Sequence, residues 1–151
     1  MRVRNKGFTL IELLIVVAII GIIAAIAIPQ LKQAIEKAKQ RRTMTDMRLI
    51  AQAVNSYAID YSFAPIFPDA RVFDLRPYLE PTYVKKVPWL DGWKHDYRFA
   101  AEGLDYSITS YGRDGAEDSS LTQGPTTRFA ADLVLYNGVF VQWPEGMQSE
   151  N

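Results

Sequence analysis

The start of the chain limits its possible folds most strongly, because a short basic segment runs directly into a long apolar one. Residues 8–28 are all apolar or small except Thr9 and Glu12. About 20 consecutive apolar residues span the hydrocarbon core of a bilayer. A carboxylate within such a segment is costly and usually has a partner and a task. The sequence therefore predicts a membrane-spanning helix over 8–28 and a specific role for Glu12.

Composition argues against nucleic-acid binding and against catalysis. The 151 residues carry 17 basic and 17 acidic side chains, so no net charge favours a nucleic-acid partner. The sequence has no nucleophile motif, no phosphate-binding glycine loop and no paired metal-binding histidines. The one histidine, His95, stands between Asp91 and Asp96 and is expected to be a surface residue. We therefore expect a protein that is not an enzyme.

The chain contains no cysteine, so disulfides and thiolate metal sites are excluded. A small exported domain without disulfides needs another source of stability, such as a bound metal ion or self-assembly. Within the apolar segment, Ala18, Gly21 and Ala25 have a spacing that allows close approach of identical helices, although small residues are common in membrane helices generally.

The apolar segment leaves two alternatives open. The sequence AIA at residues 25–27 could be read as the cleavage site of a secretory signal. The segment is longer than an ordinary signal core, however, and the helical pattern continues beyond it. The basic leader favours a cytoplasmic amino terminus, but the lysines and arginines that follow the segment leave the orientation undecided on charge alone.

The apolar periodicity continues past Pro29 and predicts an amphipathic helix over 29–61. Together with 8–28 this gives one helix of about 50 residues, roughly 75–80 Å long, with a kink at Pro29. The apolar stripe comprises Leu31, Ile35, Ala38, Met47, Ile50, Val54, Tyr57 and Tyr61, and the polar face comprises Lys32, Glu36, Lys39, Gln40, Asp46 and Arg48. We expect the stripe to pack on a domain formed by the rest of the chain.

Residues 62–151 predict a loop region followed by a small antiparallel sheet that packs on the long helix, an α+β arrangement. Repeated prolines mark a connecting region that contains a short helix at 72–79. Strands are predicted at 97–100, 106–111, 132–136 and 139–143. Asn137 and Gly138 form a two-residue hairpin signal between the last two strands.

The second half also contains a predicted turn, a predicted long loop and a polar tail. The sequence DGW at 91–93 predicts a turn whose Trp93 is buried against the sheet or, alternatively, stacks on a ligand. The polar stretch 112–129 is expected to be a long loop, and 146–151 a short mobile tail.

The long loop carries a candidate calcium site. Asp114, Glu117 and Asp118 lie within five positions, and Asp132 begins the next predicted strand. Calcium takes six to eight oxygen ligands, including backbone carbonyls, which suits an acidic loop that contains glycine. An ordinary solvated turn is the alternative. We expect Asp114, Asp118 and Asp132 to be the ligands if calcium is bound.

The first thirty residues resemble the amino terminus of type IV pilins and pseudopilins. The resemblance rests on the sequence KGFTLIE at 6–12, on the apolar run that follows and on Pro29. It implies that a prepilin peptidase removes the leader, residues 1–7, by cleaving between Gly7 and Phe8, and then methylates the amino group of Phe8. It also implies that Glu12 is important for filament assembly.

The second half resembles the major pseudopilins of type II secretion systems. The matching sequences are YVKKVP at 83–88, DGW at 91–93 and YSITSYGRDG at 106–115. The resemblance implies the type IV pilin fold and a calcium-binding loop. It further implies a homopolymeric filament subunit that helps to drive protein export, held in the inner membrane by one span with residues 62–151 in the periplasm, and later extracted into a periplasmic filament.

The same resemblance implies the partners: the peptidase, minor pseudopilins, an inner-membrane assembly platform and, before assembly, membrane lipid. Two alternatives to a secretion filament remain at this point. One is a pilin for adhesion, motility or DNA uptake. The other is a single-pass anchored domain that never polymerises.

Overall fold

A long helix, α1 (Leu10–Tyr61), dominates the structure, a computed structural model that describes residues 7–149. The helix ends at the predicted residue, begins two residues later than predicted, and continues through Pro29. A kink at Pro29 stays a prediction. The chain forms two compact units, residues 1–35 and 36–151.

The first unit is an apolar stretch of α1. Its side chains from Leu10 to Ile35 are exposed, apart from a partly covered Ala24. One helix among the described residues, α1, is long and apolar enough to cross a membrane, with a mean hydropathy of 3.1 over its most apolar stretch and none of that stretch buried. This length and composition agree with the predicted span over 8–28.

The second unit contains a six-stranded sheet and two short helical turns. In chain order the elements are β1 (Phe67–Arg71), a 3-10 turn (Val72–Leu75), α2 (Arg76–Leu79), β2 (Arg98–Glu102), β3 (Asp105–Ser110), β4 (Gly124–Arg128), β5 (Leu133–Tyr136) and β6 (Val139–Ser149). The strand order is β1-β2-β3-β5-β6-β4. All neighbouring pairs are antiparallel except β4 and β6, which are parallel. The predicted α+β arrangement is confirmed.

Two tight turns set the strand register. Asn137 (φ 47°) and Gly138 (φ 84°) connect β5 to β6, as the two-residue hairpin signal predicted. Both residues have positive φ, which is the conformation that a type I′ turn requires. Gly103, at φ 64°, occupies the turn between β2 and β3.

Three features of the sheet differ from the prediction. The edge strands β1 and β4 were not predicted, and each contains a proline, Pro68 or Pro125, which weakens a strand signal and is tolerated at a sheet edge. The expected loop over 112–129 therefore contains a strand. The expected mobile tail is wrong for 146–149, because β6 extends to Ser149. Residues 150 and 151 lie outside the described part of the chain.

The core of the second unit lies between one face of α1 and the sheet. Met47, Ile50, Val54 and Tyr57 are buried as predicted, in one cluster with apolar residues of β2, β3 and β5, namely Phe99, Ile108, Leu133 and Leu135. Tyr61, also assigned to the stripe, is half exposed.

The predicted faces of α1 are wrong around residue 36. Leu31 and Ile35 are exposed, whereas Glu36 and Gln40 from the predicted polar face are buried. The reason is specific polar partners: Glu36 accepts a hydrogen bond from Trp93, and Gln40 donates one to Gln148. Periodicity counts apolar residues and does not register such pairs.

Candidate assembly and cation sites

The first candidate site is the start of α1, where Thr9 and Glu12 form a capping box. Thr9 donates to Glu12 Oε2 from its backbone nitrogen at 2.9 Å and from its hydroxyl at 2.7 Å. The nitrogen of Glu12 donates to Thr9 Oγ1 at 3.3 Å. This arrangement satisfies amide groups that have no partner inside the helix. The sequence prediction missed it, although the spacing Thr-x-x-Glu signals it.

Around this box, the predicted processing residues are accessible. Gly7 and Phe8 precede the helix and are exposed. The rest of the predicted leader, residues 1–6, lies outside the described residues. Gly21, from the small-residue pattern, has open space where a Cβ would stand. The structure therefore leaves the cleavage bond and the small-residue face uncovered within the described part of one subunit.

A second site joins the turn at 91–93 to α1. The nitrogen of Gly92 donates to Thr43 Oγ1 at 2.9 Å, and Trp93 Nε1 donates to Glu36 Oε2 at 2.5 Å. A Cβ on Gly92 would lie 2.8 Å from the carbonyl carbon of Lys39. Trp93 thus contacts a polar group of the helix as well as the core, which corrects the expectation that it is simply buried against the sheet.

The Glu36 carboxylate is stabilised in its charged form. Burial acts to raise its pKa, but hydrogen bonds from Lys39 (2.8 Å) and Trp93, with the charges of Lys39 and Arg113, outweigh burial and hold the pKa below its ordinary value. The turn is therefore fixed to the helix by a charge-assisted hydrogen bond.

His95, which was expected to be a surface residue, has a partly exposed side chain that also links this turn to the acidic loop. Its Nδ1 lies 3.0 Å from the carbonyl oxygen of Gly112, and a Cβ on Gly115 would lie 2.9 Å from the imidazole ring. The neighbouring Asp91 is buried. Asp91 accepts from the nitrogens of Trp93 (2.8 Å) and His95 (2.9 Å) and from the hydroxyl of Ser110 (2.8 Å).

The acidic loop is closed by two of the three predicted calcium ligands. The nitrogen of Asp118 donates to Asp132 Oδ2 at 3.0 Å, and the nitrogen of Asp132 donates to Asp118 Oδ2 at 3.1 Å. Arg128 lies 3.9 Å from Asp118 Oδ1. Asp118 and Asp132 are thus brought together, although 13 residues separate them in the chain.

Asp132 is the electrostatically unusual member of this pair. Burial, followed by the charges of Asp118, Asp114 and Glu117, raises the pKa of Asp132 to about 6, against the opposing effect of the backbone hydrogen bond. Its Oδ1 is buried and has no hydrogen-bond partner among the described residues. Such an oxygen is costly unless water or a cation satisfies it.

Asp114, the third predicted ligand, is held separately. Its Oδ1 accepts from the nitrogen of Ala116 at 3.2 Å within an exposed turn. Among residues 7–149, no three His, Cys, Asp or Glu side chains are gathered in an arrangement that could hold a metal ion. Calcium would therefore require ligands beyond the acidic side chains, such as carbonyl or amide oxygens.

Two protein-family models match the chain, one after the other. The family described as "Prokaryotic N-terminal methylation motif" matches residues 2–28. The family described as "Type II secretion system (T2SS), protein G" matches residues 30–124. The first match covers the predicted leader and membrane span, and the second covers more than half of the chain.

Relatives with related sequences have the same description. A type II secretion system core protein G of Vibrio cholerae is 34% identical over 124 residues, which are 76% of this chain and 84% of the relative. The core protein G of Pseudomonas aeruginosa is 32% identical over 130 residues, which are 79% of this chain and 91% of the relative. That of Escherichia coli K12 is 29% identical over 123 residues, covering 74% and 84%.

Proposed function

Because the chain belongs to the type II secretion system protein G family, we propose that it is the structural subunit of a pseudopilus, a helical filament assembled from the inner membrane that helps to drive protein export. One observation carries this proposal: a methylation motif and a protein G domain adjoin on one chain, joined by a continuous helix. The family is a structural one, which supports a role without catalysis.

Processing of the amino terminus is the first part of the proposal. Gly7 and Phe8 are exposed ahead of α1 and lie within the matched methylation motif. The absence of a side chain lets the backbone at Gly7 enter a narrow peptidase site. Prepilin peptidase then removes residues 1–7 and methylates Phe8, and residues 8–28 anchor the remaining chain by one span, with residues 62–151 in the periplasm.

Mass spectrometry of the purified protein tests the processing. We expect a mature amino terminus at Phe8 with the added mass of one methyl group. Gly7→Val should leave the leader attached, whereas Gly21→Val, which changes a glycine with open space around it, should be processed normally. Normal loss of the leader from Gly7→Val would refute this step.

Glu12 has a role beyond the capping box in this proposal. After cleavage the amine of Phe8 is protonated near neutral pH. In an apolar bundle an unpaired carboxylate and an unpaired ammonium group are each costly, whereas the pair is tolerated. We place the Glu12 carboxylate of one subunit against the Phe8 amine of a neighbour, which would set the axial register of addition. A pair within one subunit is the rival arrangement.

Filament yield distinguishes an assembly role from a local cap. Glu12→Leu should insert into the membrane and fold its domain but assemble poorly. Thr9→Val removes the hydroxyl that binds Glu12 Oε2 and keeps the carboxylate, so it should assemble better than Glu12→Leu. Normal filament yield from Glu12→Leu, or an equal loss in both variants, would refute the assembly role.

Assembly also defines the partners of the chain. The small side chains Ala18, Gly21 and Ala25 lie on a helix that is uncovered within one subunit, so copies of the chain cover one another in the filament. Lipid occupies this surface before extraction. Minor pseudopilins and the inner-membrane assembly platform are the further partners that the family role requires.

Calcium binding at the acidic loop is the last part of the proposal. The buried Asp132 Oδ1 has no hydrogen-bond partner within residues 7–149, and the backbone nitrogen of Asp118 donates to the other carboxylate oxygen, Oδ2. These residues suit a hard cation that prefers oxygen ligands. Asp132, Asp118 and, after a shift of its exposed turn, Asp114 would hold the ion together with loop carbonyls. A bound ion would supply positive charge that offsets the repulsion among the acidic side chains of the loop.

Melting of the full chain in detergent, with calcium and then with excess chelator, tests the site. A ligand that binds only the folded state stabilises it by about 2.7 kcal/mol at a hundredfold excess over its dissociation constant. We expect a higher melting midpoint in calcium, and no such shift after Asp114→Ala with Asp132→Ala. An unchanged midpoint in the unmodified protein would reject the site, and a shift that survives both substitutions would reject these ligands.

A further inference from the structure

A buried glutamine of β6, Gln142, has an unusual position beside the acidic loop. It is 1% exposed, and its Nε2 donates to the carbonyl oxygen of Asp132 at 2.8 Å. Its Oε1 is buried and has no hydrogen-bond partner among the described residues. A buried amide that uses its donor and leaves its acceptor unsatisfied calls for a specific explanation.

The register of the sheet places Gln142 beside the later part of the loop and beside the strand that follows the loop. Gln142 pairs with Gly124 of β4, near the end of the loop, and with Val134 of β5, two residues after Asp132. The unpartnered oxygens therefore belong to two residues that are joined by a hydrogen bond from the Gln142 amide to the backbone carbonyl of Asp132. Both atoms are acceptors, so neither can satisfy the other without a positive species or a donor between them.

We infer that the amide oxygen of Gln142 is a ligand of the divalent cation bound by the acidic loop. This assignment rests on the calcium binding proposed above and adds a residue from outside the acidic cluster. The acidic side chains alone do not form a metal-binding group, and a neutral amide oxygen is an ordinary calcium ligand. Gln142 lies beyond residue 124, where the match to the protein G family ends, so this chain supplies the ligand from its own carboxy-terminal hairpin.

Gln148 provides a matched control on the same strand. It is also a buried glutamine, but its Oε1 accepts from Gln40 Nε2 at 3.3 Å, and its Nε2 donates to the carbonyl oxygens of Thr126 and Glu145. Replacement of Gln148 removes a packed amide without removing an unsatisfied oxygen. A difference between Gln142 and Gln148 variants therefore reports on the ion, since strand, residue type and burial are shared.

Calorimetric titration of the full chain in detergent with calcium tests the assignment. Gln142→Met should raise the dissociation constant about tenfold or more, and Gln148→Met should leave it within about twofold of the original. Gln142→Glu keeps an oxygen and adds a negative charge, so this variant should bind calcium more tightly. It also provides a test if Gln142→Met does not fold. Equal affinity in Gln142→Met and the unmodified protein, or unchanged or weaker binding in Gln142→Glu, would overturn the assignment.

Terbium(III) luminescence separates a ligand from a residue that only supports the loop. Lifetimes in H2O and D2O count the water molecules on bound terbium, and Gln142→Met should add about one water because a lost oxygen ligand is replaced by solvent. An unchanged water count would overturn the assignment even if affinity fell. If the unmodified chain binds neither ion, the calcium proposal itself fails. If it binds and only the Gln142 results are negative, the calcium proposal stands and this inference alone is refuted.

Discussion

Trp93 Nε1 donates a 2.5 Å hydrogen bond to Glu36 Oε2, and this contact fixes the turn at 91–93 to α1. Trp93→Phe keeps most of the packing but leaves the buried carboxylate with one donor fewer. We expect a loss of about 2 kcal/mol in the free energy of unfolding, the usual scale for a hydrogen bond to a charged group. Chemical denaturation measures it. The control is Trp143→Phe, which removes an exposed 3.2 Å bond to Glu145 and should cost far less; equal losses would contradict the prediction.

Glu36 should also make stability depend on pH. Its pKa is lower in the folded chain than its ordinary value, so the charged form stabilises the fold. That contribution is complete above the ordinary glutamate range and is lost as pH falls through the lower folded pKa. Glu36→Gln should therefore be less stable than the original chain near neutral pH, and the difference should shrink on acidification. Melting midpoints across this range measure it, and a constant difference would count against the prediction.

Gly92 should resist any side chain because of where it meets the helix. A Cβ there would lie 2.8 Å from the carbonyl carbon of Lys39, and backbone cannot rotate away as a side chain can. We expect Gly92→Ala to cost about 3 kcal/mol or more, at the upper end of overpacking effects. Gly103→Ala has open space but a positive φ and should cost about 1–2 kcal/mol. Chemical denaturation of both variants measures these losses. A larger loss in Gly103→Ala than in Gly92→Ala would disprove the steric explanation.

Asp46 should be a source of instability at neutral pH. Burial raises its pKa, although Arg42 lies 3.4 Å from Oδ2 and opposes the effect. That oxygen is buried without a hydrogen bond of good geometry. The penalty on the charged form is complete above the raised folded pKa and disappears below the ordinary aspartate range. Asp46→Asn should therefore raise the melting midpoint at neutral pH. The gain in the free energy of unfolding should be less than about 1 kcal/mol, because the pair of Asp46 and Arg42 is partly solvated. A gain that grows on acidification would reverse the sign and refute the prediction.

The contact between Gln40 and Gln148 should appear as a coupling energy. Gln40→Met leaves Gln148 Oε1 buried without a donor, so it should cost about 1 kcal/mol. The double variant with Gln148→Met should be more stable than the sum of the single losses predicts, by about 0.5 kcal/mol or more. The pair Gln40→Met and Gln142→Met, which share no hydrogen bond, should be additive. Chemical denaturation of all the variants measures these energies. Additive losses for Gln40→Met and Gln148→Met would show that the two side chains are not coupled.

Periodicity and turn chemistry were sufficient for most of the fold. The end of α1 at Tyr61 and the turn at Asn137 and Gly138 follow from local patterns, because helix faces and type I′ turns have strong sequence signals. The two proline-containing edge strands were missed because their pairing comes from distant residues. β1 lies against β2, and β4 lies parallel to β6, contacts that no local pattern encodes.

The candidate sites show a similar division. Residues 6–12 carry a motif, so the sequence alone predicted processing at Gly7 and Phe8 and an assembly role for Glu12. Asp118 and Asp132 were predicted as calcium ligands because they are acidic residues in and just after one loop, and the structure brings them together. Gln142 was not predicted as a ligand, because a glutamine in a strand has no sequence signal, and only its buried oxygen without a partner among the described residues points to that proposal. Leu31 and Ile35 were wrongly predicted to be buried, because the local pattern does not show which face of α1 is covered here. Glu36 and Gln40 are buried instead, through hydrogen bonds to partners more than 50 residues away.

The uncovered apolar stretch of α1 has a consequence for how a subunit changes surroundings. Lipid tails and the aliphatic side chains of a neighbouring helix are solvents of nearly equal quality for leucine and isoleucine. In the filament that we propose, transfer of this surface from the bilayer to neighbouring helices would therefore be almost neutral for its many apolar groups. The direction of that transfer would then depend on the few groups that distinguish the two media, which are Thr9, Glu12 and the amine that the proposed cleavage would leave on Phe8. In the proposed assembly, a few polar atoms at one end of the helix would therefore decide whether the apolar surface contacts lipid or other subunits.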